Sequence, residues 1–367
     1  MVTLSLAMIV KNEAANIVDI LRDAAQFCDE LIVVDTGSTD NTAELAAGAG
    51  ARVAHFEWVD DFAAARNAAF ELCTSDWIVW LDADDRVPAQ VQEAFRQIKS
   101  EVLTEDLDAV YLPYRYAYSP DGLHCTFELN RERLIRRRAG LRWQHRVHEI
   151  IALPDPLRVV HRHDAWIEHR PAPEEERPGH KERNLRILER AFAEGDRQFR
   201  TLFYLANELR DHRRFPEAIV RYEEFISTVP RGWERHNAMV SLATCFTAGG
   251  QEDEALAALH RAMQEDGRRA DAFVAAGMVH YRAERWQQAV PYFLGATAMS
   301  QPSDGFINNS DYGWAPWDYL SICFHRTGRQ QEALEALAKA VEGNPQPARL
   351  ADNAKWFLEA ASGQSLH

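Results

Sequence analysis

Four copies of one short frame in the second half of the chain constrain its fold more than any other feature. Ala218, Ala255, Ala289 and Ala333 each sit third in PEAIVRY, DEALAAL, QQAVPYF and QEALEAL, at spacings of 37, 34 and 44 residues. With the alanines superposed, small or apolar pairs coincide upstream: Leu205-Ala206, Leu242-Ala243, Ala276-Gly277 and Leu320-Ser321. Tyr222, Leu259, Phe293 and Leu337 coincide downstream. A period of this size means a helix pair that buries its apolar face only by stacking on the next pair. Pro230 and Pro345 fall where the second helix of a pair should stop, since proline cannot continue a helix. Four such pairs cover roughly residues 199–346. The fourth spacing exceeds 34 by ten residues, and the excess falls on SQPSDGFINNSDYGWAPW, around residues 301–317. Such an insertion maps to a loop, either on a binding face or as an excursion without a role. Ala351 to Ala361 reads as a capping helix.

The first third has a different period. From residue 4 to about 118, apolar β-rich runs (LSLAMIV, ELIVVD, RVAHFEW, WIVWLD) alternate with helical patterns starting at Glu13, Thr39 and Asp61. This alternation predicts βαβ units, a largely parallel Rossmann-like sheet and strands buried on both faces. A helix follows Pro88 to about Lys99. Then come AVYLPYRYAY, a turn at Pro120-Asp121-Gly122 and short strand-like pieces ending near His169, which predict an antiparallel extension. The proline- and charge-rich segment from Arg170 to Gly179 is the natural linker. The expected fold is therefore α/β over residues 1–175, followed by an all-α repeat domain over 176–367, a division that suits a chain of 367 residues.

Composition narrows the partners. A net charge of −15 repels nucleic-acid backbones and anionic lipid. No apolar run approaches the roughly 20 residues that cross a bilayer, so no transmembrane segment is expected. MVTLSLAMIVKNE lacks the basic region and cleavage site of a secretory leader, which reads as a cytoplasmic protein. Cys28, Cys73, Cys125, Cys245 and Cys323 are scattered, as reduced and mostly buried thiols would be, with no zinc or disulfide framework.

Acidic residues close two of the strands. Ligands of open parallel sheets bind beyond the carboxyl ends of strands, where strand order switches. Asp35 ends IVVD and opens Asp35-Thr-Gly-Ser-Thr-Asp40, where Gly37 permits a tight turn. Asp82 ends IVWLD and opens Asp82-Ala-Asp84-Asp85. Side chains two apart in extended chain lie on one side, so Asp82 and Asp84 can face one ligand. Their mutual repulsion calls for a cation, and Mg²⁺ or Mn²⁺ accepts carboxylates while keeping positions open for diphosphate. Alone, a D-x-D string is more often a solvated turn.

It does not stand alone. MIVKNEAANI, IVVDTGSTDNT, DDFAAARNAAF and DWIVWLDADD, in that order over residues 8–85, resemble the inverting GT-A-fold glycosyltransferases of family 2, which use nucleotide sugars. The resemblance implies that the Val10 backbone, Glu13, Asp35 and Gly37 surround the uridine of a UDP-sugar, and that Arg66 approaches base or phosphate. It also implies that Asp82 and Ala83 touch the nucleotide sugar, and that Asp84 is the more direct ligand of Mn²⁺ or Mg²⁺. Asn67 reads as a helix-surface amide. Further on, Trp143-Gln-His-Arg-Val147-His148-Glu149 and Ile167-Glu-His169 resemble a branch that often carries tetratricopeptide repeats, and the 34-residue spacing above equals the tetratricopeptide period. That branch includes enzymes that glycosylate peptides or proteins, which makes such an acceptor the expected partner.

Inverting transfer needs a base for the acceptor proton. Glu149 is the candidate, with Asp155 and Asp164 as rivals. Most relatives show Glu-Asp at this stage whereas this chain shows His-Glu, and Glu149 could instead pair with an arginine. His169 is either a third metal ligand or a satisfied strand histidine. His161 and His163 share a strand face without demanding a metal. Three other readings stand beside this one: a non-catalytic repeat scaffold, a transferase acting on a saccharide or lipopolysaccharide, and a nucleotidyltransferase. The last should carry a glycine-rich phosphate loop after the first strand, and VKNEAAN contains no glycine. A homodimer is left open.

Overall fold

The apolar runs of the first third become strands in the order expected. In this computed structural model, which describes residues 2–119, 122–123, 125–138, 140–153, 156–171, 179–302, 305, 307–344, 350, 352–353 and 355–357, the chain forms two compact units, Met1–Ala191 and Phe192–His367. The expected turn at 120–122, the linker and the capping helix lie largely outside the described residues, as does Asp155.

The first unit begins β1 (Leu4–Val10), α1 (Ile17–Ala24), β2 (Glu30–Asp35), α2 (Thr42–Gly48), β3 (Arg52–His55), α3 (Phe62–Leu72) and β4 (Trp77–Trp80). β1 pairs in parallel with β2 on one side and β4 on the other, and β2 pairs in parallel with β3. The chain thus leaves β1 in one direction and returns on its other flank, so strand order reverses between β1 and β4. Ligands bind at such a point. β4 is buried throughout, whereas the edge strand β3 is exposed at both ends, a departure from the uniformly buried strands expected.

α1 and α2 start later than Glu13 and Thr39 because the loops before them are tied to each other. Asn12 N–H donates to Ser38 Oγ (2.9 Å), Glu13 N–H to Thr42 Oγ1 (2.8 Å) and Thr39 N–H to Asn12 Oδ1 (2.7 Å). These side chains satisfy backbone donors that an earlier helical turn would otherwise leave open.

Next come β5 (Asp85–Arg86), α4 (Ala89–Gln97) with a π turn over Ile98–Val102, β6 (Ala109–Tyr118), β7 (Cys125–Arg136), β8 (Arg142–Gln144), β9 (Ile150–Ala152), β10 (Val159–His161), β11 (Ile167–His169) and α5 (His180–Ala193). β7 is antiparallel to both β4 and β6, as expected. β10 and β11, however, run parallel to β6, so the extension is mixed. β11 also pairs with β5, setting His169 opposite Asp85. This crossing brings a late histidine to the end of the acidic run.

The second unit stacks α6 (Phe199–Asp211), α7 (Phe215–Thr228), α8 (Trp233–Ala248), α9 (Glu252–Glu265), α10 (Ala270–Arg282), α11 (Trp286–Thr297), α12 (Trp314–Arg326) and α13 (Gln330–Gly343) as consecutive pairs. This is the tetratricopeptide-like array the spacing called for. All four frame alanines are completely buried. In the insertion, a 3₁₀ turn (Asn309–Tyr312) packs back on α10, and Tyr312 Oη accepts the Ala270 N–H at 3.2 Å. Of the cysteines, Cys73, Cys245 and Cys323 are buried, Cys28 is half-buried, and Cys125 is exposed.

Close packing explains the glycine in the third repeat: a Cβ on Gly277 would lie 2.6 Å from the Phe293 ring. Gly277→Ala should therefore destabilise the protein by about 1–3 kcal/mol despite alanine's better helix propensity. Denaturant unfolding followed by circular dichroism checks this, and an unchanged or raised midpoint contradicts it.

Candidate active site

The carboxyl ends of β1, β2 and β4 open onto a cleft of about 160 Å³. Ile9, Val10, Lys11 and Glu13 line it from β1 and its loop, and Thr36 from the end of β2. Trp58, Phe62 and Arg66 enter from α3 and the preceding loop, Asp82, Ala83 and Asp84 follow β4, and Arg183 comes from α5. Six residues singled out in the sequence (Val10, Glu13, Arg66, Asp82, Ala83 and Asp84) therefore share one cavity. Asp35 and Gly37 flank Thr36 outside the lining.

Asp35 is 2 % exposed, and its Oδ1 accepts the Gly37 and Ser38 N–H groups, each at 2.8 Å. Gly37 has φ +102°, a conformation that favours glycine. Burial alone would raise the Asp35 pKa, but the Ser38 and Gly37 donors outweigh it and hold the carboxyl below its usual range. Oδ2 is buried with no hydrogen-bond partner. A buried acceptor of this kind is costly unless a ligand donates to it.

α3 is started by Asp61, whose Oδ1 accepts the Ala64 N–H at 2.9 Å. One turn on, Arg66 is buried with its guanidinium 5.1 Å from the ring centres of both Trp80 and Trp143. Its Nε donates to Glu149 Oε1 (2.6 Å) and Nη2 to Asp82 Oδ1 (2.8 Å). Burial opposes the charge, and the two carboxylates more than restore it, so its pKa lies above the normal arginine value. Burial likewise works to raise Asp82, yet Arg66 and then Arg133 hold it below the usual range. Glu149 thus makes the arginine pairing weighed in the sequence, and it lies outside the cleft lining. Asn67 is no idle surface amide. It donates to Trp143 O (3.0 Å) and accepts from Trp143 N–H (2.8 Å), fixing the strand that carries one wall of the arginine's slot.

Asp84, Asp85 and His169 offer ligand atoms that all lie within 4.8 Å of one another. Burial raises the Asp84 pKa to about 6, with Asp82, Asp85 and Glu13 adding to the rise and His169 opposing it. Burial works against a charged His169, but Asp85 and Asp84 more than compensate, so its pKa is raised. His169 Nδ1 stands 3.6 Å from Asp84 Oδ1 and 3.8 Å from Asp85 Oδ1, within ion-pair range but too far for a hydrogen bond, and is buried without a hydrogen-bond partner. An orphaned ring nitrogen beside a carboxylate of raised pKa fits a divalent cation.

Asp85, which the sequence reading left without a role, is already occupied. It is completely buried; Oδ1 accepts from Tyr114 Oη (2.9 Å), and Oδ2 from Asp82 N–H (3.0 Å) and Arg133 Nη1 (3.2 Å). Arg133 and Tyr114 were also missed, because an arginine in the charged strand CTFELNRERLIR reads as solvent-facing. Of the rival bases, Asp164 is held in an ion pair by Arg162 (2.8 Å).

Residues 5–151 match the family model described as Glycosyl transferase family 2. The N-terminal segment is a glycosyltransferase family 2 domain. Its mixed sheet, with the acidic run at the switch in strand order, is GT-A-like. The chain is 37 % identical over 161 residues to a TPR repeat-containing protein of Synechococcus elongatus, covering 41 % of this chain and 36 % of that one. It is 36 % identical over 95 residues to an uncharacterized glycosyltransferase of Rickettsia felis (26 % and 33 %), and 27 % identical over 149 residues to the SPbeta prophage-derived glycosyltransferase SunS of Bacillus subtilis (40 % and 34 %). The chain thus spans about a third of the length of these relatives. Among solved structures, MamA aligns at 16 % identity with TM-score 0.38 over 46 % of this chain and 91 % of that one. The TPR protein YrrB aligns at 18 % and 0.37 over 49 % and 86 %. No helix among the described residues is long and apolar enough to cross a membrane.

The two carboxylates at the end of the acidic run should behave oppositely. Asp85→Ala strands the buried Arg133 charge and should cost about 3–5 kcal/mol. Asp84 has its pKa raised on folding, so its contribution to stability falls as pH rises from 3.8 to about 6 and stays lost above that. Asp84→Asn should therefore raise the thermal midpoint in chelator at neutral pH. Equal destabilisation by both variants contradicts this division.

Proposed function

We propose that this protein is an inverting glycosyltransferase that moves a sugar from a UDP-sugar to a peptide or protein acceptor and requires Mn²⁺ or Mg²⁺. The observation that carries the reading is the approach of Asp84 Oδ1 to His169 Nδ1, which has no hydrogen-bond partner, beside the cleft that Asp82 and Ala83 line. Asp84 and His169 would hold a divalent cation, which would supply positive charge to the departing diphosphate. The Asp35 Oδ2 acceptor and the Val10 backbone suit a uridine, and Glu13 suits its ribose. Arg66 fixes Asp82 and adds a permanent charge to the lining of the cleft.

Glu149 is the proposed base, using Oε2, the oxygen not bonded to Arg66, to take the acceptor proton as the nucleophile attacks the anomeric carbon. A second reading rests on the 2.6 Å bond itself: Glu149 holds Arg66 in its slot, and the base comes from elsewhere. The helical repeats are proposed to bind the acceptor, because stacked helix pairs present extended surfaces suited to chains. A saccharide acceptor, or a scaffold without turnover, is the alternative that a panel of donors distinguishes.

Calorimetry should show that UDP binding needs a divalent ion and collapses in Asp84→Ala. Mn²⁺ affinity should fall at least about tenfold per pH unit below about 6, where the ion must displace a proton from Asp84. UDP affinity unaffected by chelator removes the metal from the mechanism. For the base, Glu149→Gln should lower UDP release from the donor by about 10²–10⁴ while leaving donor affinity unchanged. A parallel loss of donor affinity favours the second reading, and near-normal turnover removes Glu149 from both.

A further inference from the structure

α5 follows the matched family segment and yet reaches the cleft. Arg183 is one of the lining residues, its guanidinium carbon 4.7 Å from the centre of the Phe62 ring. Its placement has a visible cause. One turn along the helix, Arg186 grips Asp60 with both terminal nitrogens (Nη1 to Oδ2 at 2.9 Å, Nη2 to Oδ1 at 3.0 Å), and Arg190 reaches the same carboxylate at 3.3 Å. Asp60 in turn accepts from Trp58 Nε1 (2.9 Å), and Trp58 and Phe62 both line the cleft. Burial works to raise Asp60, but Trp58 and Arg186 hold it ionised below the usual range. Residues at i, i+3 and i+7 share a helix face. Clamping Arg186 and Arg190 therefore turns Arg183 towards the lining.

Charge in the cleft gives that arginine a task. Glu13, Asp82 and Asp84 face it, and the charge of Arg66 is offset by Asp82 and Glu149. A nucleoside diphosphate entering there adds negative charge to an acidic wall. Besides Arg66, the cations lining the cleft are Lys11 and Arg183. A guanidinium offers a planar fork that matches phosphate oxygens, which an ammonium cannot do.

We propose that Arg183 is a phosphate-binding residue of the donor site, contributed by the helix that follows the family domain and aimed by the Arg186–Asp60–Arg190 clamp. This rests on the reading of the cleft as a nucleotide-sugar site. It assigns to α5 a share of donor binding that the segment 5–151 alone does not contain.

The test is calorimetry on the full chain with Mn²⁺, comparing UDP with uridine. Arg183→Gln should weaken UDP about tenfold or more, with uridine within about twofold, because only the phosphate contact is lost. Arg183→Lys should fall between, and Asp60→Asn should weaken UDP by freeing α5. Arg183→Gln should still unfold in one cooperative transition, its midpoint lowered by no more than the loss of the arginine's own contacts such as that with the Phe62 ring, which separates a lost phosphate contact from a lost fold. UDP affinity within twofold of wild type overturns the assignment of Arg183 alone. Equal losses for UDP and uridine overturn it too, by placing the arginine on the base. A wild-type chain that binds no UDP overturns both this inference and the donor reading beneath it.

Discussion

The ion pair between Asp85 and Arg133 is completely buried, and the geometry of the cleft hangs on it. Arg133 lies 3.8 Å from the Trp80 ring centre and 4.1 Å from that of Tyr114, and its Nη1 also donates to Trp80 O at 3.1 Å. Asp85 gathers Tyr114 from β6, Arg133 from β7 and the Asp82 N–H from the chain just after β4. One carboxylate thus locks three strands at the point where the acidic run begins. Buried charges are tolerated only when their partners are in place, so the pair admits few alternative arrangements of Asp82 and Asp84.

A division of labour follows within four residues. Asp82 faces an arginine, Asp84 faces a histidine with an orphaned nitrogen, and Asp85 turns inward to the core. Asp82 and Asp84 acquire different proton affinities because their neighbours differ, the general means by which a fold assigns roles to carboxylates. Around Arg66, the rings of Trp80 and Trp143 exclude water and strengthen its bonds to Asp82 and Glu149.

Much of this was legible in the sequence. The repeat frame located the helix pairs because a buried alanine at each helix crossing is a packing constraint that survives without coordinates. The apolar runs located β1 to β4, and the strand-end aspartates located the cleft, since side-chain alternation and the switch-point rule are local arguments. Pairing across long separations stayed hidden. Nothing in IEH reveals that β11 lies parallel to β6 and against β5, and nothing in CTFELNRERLIR distinguishes the buried Arg133 from its exposed neighbours. Arg183 was missed for the same reason, because its position depends on Asp60, more than a hundred residues away in the chain. Helix starts were misjudged at α1 and α2 because side chains of one loop cap the other, a tertiary effect on a local signal.

The pairing of β11 with β5 has a temporal consequence. A ribosome making this chain finishes Asp84 and Asp85 well before His169, and β11 pairs with β6 and β5, both made before it. The β-α alternation at the front is built from neighbours in sequence and can collapse early, whereas the Asp84–Asp85–His169 cluster needs a strand made 85 residues after Asp84. A chain made only as far as β10 therefore has both aspartates of that cluster without their histidine. The corner formed by Asp84, Asp85 and His169 is complete only once β11 is laid down.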